Sequence, residues 1–212
     1  MTDHGLTKDG YEQQFGVNHL AHFYLFQLLK PMLLASSTPS FHSRVISVAS
    51  QVHQLGGVLV DDYNFKETEY DPFKAYANSK TCNIWMANEL ERRYGSKGLH
   101  SISVHPGGIE TGLQDSHGEG PRQIIEQMIQ QPHIKKQFKT IEQGAAPVVH
   151  AAVEKEFEGV GGFYTEDCGV SKPFPKDAQI GDPGYMPWAY DEEGEKKLWL
   201  DSLKMLGLQD DQ

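Results

Sequence analysis

Between Thr7 and Leu34 the chain predicts a helix. Phe15, Asn18, His19, His22, Phe23 and Phe26 recur at three-and-four spacing, and Pro31 falls near its end. After Val17 the stretch is apolar nearly all round, the pattern of a helix packed on several sides. A Ser/Pro/Thr loop follows, and then RVISVAS, a short β-branched run that reads as a buried parallel strand. Residues 51–70 read as loop. Asp71-Pro72 then opens a second helix, with Asp as N-cap and Pro at the first helical position, running to about Tyr94 with Gly95 closing it.

HSISVHPGG predicts a second strand ending in a Pro-Gly-Gly turn. Residues 113–140 are polar with weak periodicity, a helical or loop excursion. IEQGAAPVVHAAVE is helical in pattern and GVGGFYTED reads as a third strand. A Pro/Gly-rich tail leads to a terminal helix, 191–207, with Leu198, Leu203 and Leu206 inward. Alternating helix and strand predict an α/β fold with about three parallel strands, in a single domain over residues 1–212.

Composition narrows the function classes. The formal charge is −10, from 29 acidic against 19 basic residues, and the basic residues cluster only in pairs such as Arg92-Arg93 and Lys135-Lys136, so a nucleic-acid partner is not expected. Two cysteines, Cys82 and Cys168, make neither a disulfide framework nor a metal site; Cys82 reads as a buried thiol in a reducing compartment. His19 and His22 stand three apart without a third ligand at metal spacing, so no metal is expected. The apolar runs are too short for a membrane span and MTDHGLTKDG is unlike a signal peptide, so the expected compartment is the cytoplasm.

The chemistry concentrates in YDPFKAYANSK, where Tyr-x-x-x-Lys occurs twice, as Tyr70/Lys74 and Tyr76/Lys80. Tyr70 precedes the N-cap and cannot share a helix face with Lys74. Tyr76 and Lys80 lie one turn apart on one side of the helix. An ammonium about 4 Å from a phenol, at an effective dielectric of about 20, is worth about 4 kcal/mol, enough to bring the phenol toward neutrality. Such a tyrosine can exchange a proton with a carbinol oxygen as hydride leaves or arrives. Ser50 ends its strand where its hydroxyl can hold a substrate oxygen. Asn18 offers an amide to order a water against Lys80, and the PGGIET turn offers backbone groups and Thr111 to a nucleotide.

Together these residues resemble the short-chain dehydrogenase/reductase family, nearest its retinol-dehydrogenase-like and WW-domain-oxidoreductase-like branch. GLTKDGYEQQFGVNHLAHF resembles the helix carrying the family's catalytic asparagine, Asn18 here; RVISVASQVH resembles the strand ending in the catalytic serine, Ser50; YANSK supplies Tyr76 and Lys80. HPGGIETGL resembles the turn that holds the nicotinamide end, which implies cofactor contacts from Pro106, Gly107, Ile109 and Thr111 as well as Tyr76 and Lys80. The resemblance implies hydride exchange between NADP or NAD, NADP slightly favoured, and a small alcohol or carbonyl substrate.

The chain departs from the family pattern in having no G-x-x-x-G-x-G before Tyr11 and no Asn-Asn-Ala-Gly turn. It resembles the C-terminal half of a doubly wound sheet, lacking the N-terminal half of the Rossmann domain. That implies an exposed edge on RVISVAS and a first helix deprived of neighbours. The alternative is therefore a truncated, non-catalytic fragment or partner subunit, in a homo- or heterodimer through helices 7–34 and 72–94, with a full-length paralogue as one such partner.

Overall fold

The computed structural model describes residues 1–109 and 119–211. The elements of the first half are α1 (Gln13–Phe15), a π turn (Gly16–Leu20), α2 (Ala21–Ser36), β1 (Ser43–Val48), α3 (Pro72–Tyr94) and β2 (Leu99–His105). There follow β3 (Gly108–Ile109), α4 (Glu119–Ile129), α5 (Pro132–Lys135), β4 (Phe138–Lys139), α6 (Ile141–Val153), β5 (Tyr164–Glu166), β6 (Gly169–Val170) and α7 (Glu192–Met205). The main sheet has the order β1-β2-β5-β6. Its first three strands are parallel, as the sequence predicts, with Ser43 opposite Leu99 and Ser103 opposite Tyr164; β6 folds back antiparallel. β3 and β4 form a separate parallel pair.

The first helix starts later than its periodicity predicts, at Gln13 instead of Thr7. Lys8-Asp9-Gly10 makes a tight turn, with Gly10 at φ 84° and the Gly10 amide donating to the Thr7 carbonyl. Glu12 then caps α1, its carboxylate accepting from the Gln14 and Phe15 amides. The helix also runs beyond Pro31, to Ser36. The second helix begins as predicted: one Asp71 carboxylate oxygen accepts from the Phe73 and Lys74 amides at 2.9 and 2.8 Å. The predicted RVISVAS strand stops at Val48, and Ser50 instead caps a short turn over Gln51–Leu55.

Helices α2 and α3 cover one face of the sheet, and α7 packs against α3. Phe23 and Phe26 of α2, Met86, Leu90 and Tyr94 of α3, Leu99 of β2, and Trp199 and Leu203 of α7 form one buried cluster. α6 covers the other face, Ala151 packing with Ile102 and Phe157. Leu198 and Leu203 are buried as the pattern of the terminal helix predicts, while Leu206 is partly buried just beyond its end. β1 is a sheet edge, and Leu25, Leu28, Leu29 and Met32 of α2 are exposed beside it. No described helix is long and apolar enough to cross a membrane.

Candidate active site

The C-terminal ends of β1 and β2 open into a cavity of about 580 Å³. Parallel strands place their loops and the following helices around such an end, so residues distant in sequence converge there. Asn18, Ser50, Tyr76, Lys80, Pro106, Gly107 and Ile109 all line this one cavity. Of the site residues expected from sequence, only Thr111 lies outside the described residues.

Ser50 is buried at the start of the turn after β1, and its hydroxyl oxygen accepts from the Val52 amide at 3.2 Å. Tyr76 is half-buried on the second turn of α3 and lines the cavity together with Ser50. Asn18 sits in the π turn, an irregularity that re-aims side chains and recurs at functional sites. Its Nδ2 donates to Ser79 Oγ at 3.0 Å, and that hydroxyl donates to the Tyr76 carbonyl at 2.8 Å, tying the π turn to the turn of α3 that carries Tyr76 and Lys80.

Lys80 departs from the expected arrangement. Its ammonium lies 5.6 Å from the centroid of the Tyr76 ring and donates to the Val48 carbonyl, 3.1 Å away. Burial pushes the Tyr76 phenol above its ordinary value, with the Ser50 hydrogen bond opposing, and Lys80 does not bring it toward neutrality here. Burial also lowers Lys80 itself, to about 8. The other pair is structural. Tyr70 accepts from Gln14 Nε2 at 3.0 Å and lies 3.0 Å from the Thr2 carbonyl, while Lys74 is exposed.

Other residues of the lining shape the cavity. Gly107, at φ 103°, lies so close to Lys139 that an added Cβ would stand 2.6 Å from the lysine Cδ. His105, just before the Pro-Gly-Gly turn, is held neutral: burial lowers it to about 3, and its Nδ1 accepts from the Gln51 amide at 3.2 Å. Val17, Val52, Ile125, Ile129 and Phe138 give the cavity apolar walls. Ile125, Ile129 and Phe138 come from the excursion whose polar residues masked them. The Val48 carbonyl has a second donor, Asn83 Nδ2 at 3.1 Å; Asn83 is one turn beyond Lys80, a signal the sequence held.

No protein-family profile matches the chain. Individual relatives do. The short-chain dehydrogenase/reductase prx1 of Penicillium roqueforti is 48% identical over 202 residues, 95% of this chain and 58% of that protein. The chain belongs to the short-chain dehydrogenase/reductase family. Mouse retinol dehydrogenase 13 is 32% identical over 97% of the chain and 56% of its own length. The human WW domain-containing oxidoreductase is 36% identical over 88% of the chain and 44% of its length, so both expected branches are among the relatives. The chain spans somewhat over half the length of the curated relatives it matches.

The crystal structure of an uncharacterized protein from Mycobacterium paratuberculosis matches 98% of the chain and 63% of its own length, with a TM-score of 0.66 at 25% identity. A structure titled a 2-deoxy-d-gluconate 3-dehydrogenase from Agrobacterium tumefaciens, with bound NADP, covers 78% of this chain and 61% of its own at a TM-score of 0.52 and 18% identity, a likeness of fold.

Proposed function

We propose that this chain carries the proton-transfer and nicotinamide-facing part of an oxidoreductase that interconverts an alcohol and a carbonyl with NADP or NAD. The observation that carries the reading is the convergence of Asn18, Ser50, Tyr76 and Lys80 with the Pro106–Ile109 turn around one cavity. A bound nicotinamide supplies or accepts the hydride. Tyr76 passes the proton to or from the substrate oxygen, Ser50 holds that oxygen beside the phenol, and Lys80 serves the ribose and the phenol once turned into the cavity. Asn18 fixes the helix turn that carries both. The site fits the nicotinamide end: Gly107 and Gly108 bring backbone close to the space, and Lys80 offers a cation. The apolar walls favour an apolar alcohol or carbonyl over a charged one.

Titration of the 212-residue chain with NADPH and with NADH, followed by nicotinamide fluorescence, tests the reading. Saturable binding in the micromolar range, lost in Tyr76→Phe/Lys80→Met, supports it; no binding by the chain under any condition, including with a partner added, removes it.

A second reading, a subunit that works only with a partner chain, is favoured by the open β1 edge and the exposed apolar side of α2. Of the two helices expected at a dimer face, α3 buries most of its residues within the chain, so α2 is the surface left for a partner.

A further inference from the structure

His105 ends β2 at a wall shared by two cavities. Beside the catalytic cavity lies a second one of about 530 Å³, and His105, Gln51, Gly107, Gly108 and Phe138 line both. Charged groups also line the second, with Lys139 paired to Asp167. The bonds of His105 settle its tautomer. Its Nδ1 accepts from the Gln51 amide at 3.2 Å, so in the neutral ring the proton sits on Nε2. Burial foremost, with the Lys139 cation adding to it, keeps the ring neutral. Nε2–H has no partner among the described residues, yet it is not sealed among protein atoms. Two other buried histidines use Nε2 within the fold, His19 at Ser202 Oγ and His53 as acceptor from the Met186 amide. Gln51 directly follows Ser50, so the His105 imidazole stands beside the residue proposed to hold the reacting oxygen.

We infer that His105 is a specificity-determining residue whose Nε2–H donates to a second oxygen of the substrate, a hydroxyl or carbonyl close to the reacting carbon. The substrate class is then a carbonyl compound or alcohol that carries a neighbouring oxygen function. The inference deepens the functional reading above and rests on it. A ketone without the second oxygen strips water from Nε2–H and leaves the donor unpaired, whereas a neighbouring oxygen replaces that water. A neutral donor suits a neutral oxygen, in keeping with the apolar walls of the catalytic cavity.

The test uses acetophenone and its α-hydroxy derivative, which differ by one oxygen, as probes of the ¹⁵N-labelled 212-residue chain. Binding is followed by NMR through the backbone amides of Gly107 and Gly108, and the ring nitrogens of His105 are followed directly. The free chain should show the Nε2–H tautomer at His105, and the α-hydroxy compound should shift that nitrogen while acetophenone does not. The α-hydroxy compound should bind roughly three- to tenfold more tightly. That difference should vanish in His105→Phe and persist in part in His105→Asn, which keeps a donor and an acceptor for the Gln51 amide. Equal affinity for the two compounds, including no binding of either, overturns the inference. So does a difference that survives His105→Phe, or a proton found on Nδ1. Should both variants fail to fold, the shift of His105 Nε2 in the unaltered chain decides: its presence supports the inference and its absence overturns it. None of these readouts needs the cofactor. A preference that depends on His105, without nicotinamide binding under any condition, sinks the oxidoreductase reading and leaves the subsite standing. Nicotinamide binding with equal affinity for the two ketones does the reverse.

Discussion

The Lys80 ammonium and the Val48 carbonyl are joined by a 3.1 Å hydrogen bond, so the cation expected to tune Tyr76 is engaged with the backbone of the open strand edge. Burial lowers this lysine to about 8 from its ordinary 10.5. Between those values the unfolded chain binds a proton that the folded chain does not, so stability rises as pH increases from about 8 toward 10.5. NMR titration of the ¹³C-methylated lysines should give one resonance with a midpoint near 8, absent from Lys80→Met. A Lys80 midpoint near 10.5 contradicts the buried arrangement.

What the sequence disclosed and what it hid follow from range. The Asp71 cap and the Tyr76/Lys80 face depend on neighbours within one helical turn, and the structure keeps both. RVISVAS and HSISVHPGG announce parallel strands through their short β-branched runs, but only β2 is buried as such a run predicts; β1, at the sheet edge, is partly buried with Val48 exposed. The late start of α1 was also written locally, in Lys8-Asp9-Gly10, but the three-and-four spacing outweighed that turn. The partner of Lys80 was not legible, because it is a backbone carbonyl 32 positions away on another element. Ile125 and Ile129 stand one turn apart on α4 and were legible in that spacing, which the polar surroundings masked, whereas Phe138 reaches the cavity from a short strand beyond it.

Tyr76→Phe and Tyr70→Phe should separate chemistry from structure. The first removes the only proton-exchanging group proposed for the substrate oxygen, so any turnover should disappear while folding is retained. The second leaves Asn18, Ser50, Tyr76 and Lys80 in place but removes the hydroxyl serving Gln14 Nε2 and the Thr2 carbonyl, at one wall of the cavity. It should cost about 1–2 kcal/mol of stability in urea unfolding. Turnover that survives Tyr76→Phe and vanishes in Tyr70→Phe would reverse the assignment.

Glu195 fastens α7 to α3. Its side chain is 1% exposed, accepts from Asn88 Nδ2 at 2.6 Å and from the Asp191 amide at 3.2 Å, and pairs with Arg92. Glu195→Ala leaves Asn88 short of one acceptor and uncouples the guanidinium, which is partly in solvent. A loss of about 3 kcal/mol is expected in urea unfolding. Glu195→Gln, which keeps an acceptor for Asn88, should cost less; equal losses would show that the carboxylate shape is not what holds the helices together.

Three histidines are held neutral by burial: His19 and His105 are lowered to about 3, and His53 is lowered as well. His19 lies between the rings of Phe15 and Phe23, with Nε2 2.9 Å from Ser202 Oγ. For each group the folded value is below that of the unfolded chain, so the unfolded state takes up protons first as pH falls. Stability contributed by the neutral forms is intact above about 6.5 and is lost progressively as pH falls toward 3. Inside that window each such histidine adds a slope of about 1.4 kcal/mol per pH unit. Urea midpoints at pH 7 and pH 4.5 should therefore differ strongly. His19→Met should reduce the difference, while the exposed His22→Gln, which removes only the smallest of the causes lowering His19, should change it far less. A His19→Met variant with the full pH dependence would mean that His19 accepts a proton without unfolding its surroundings.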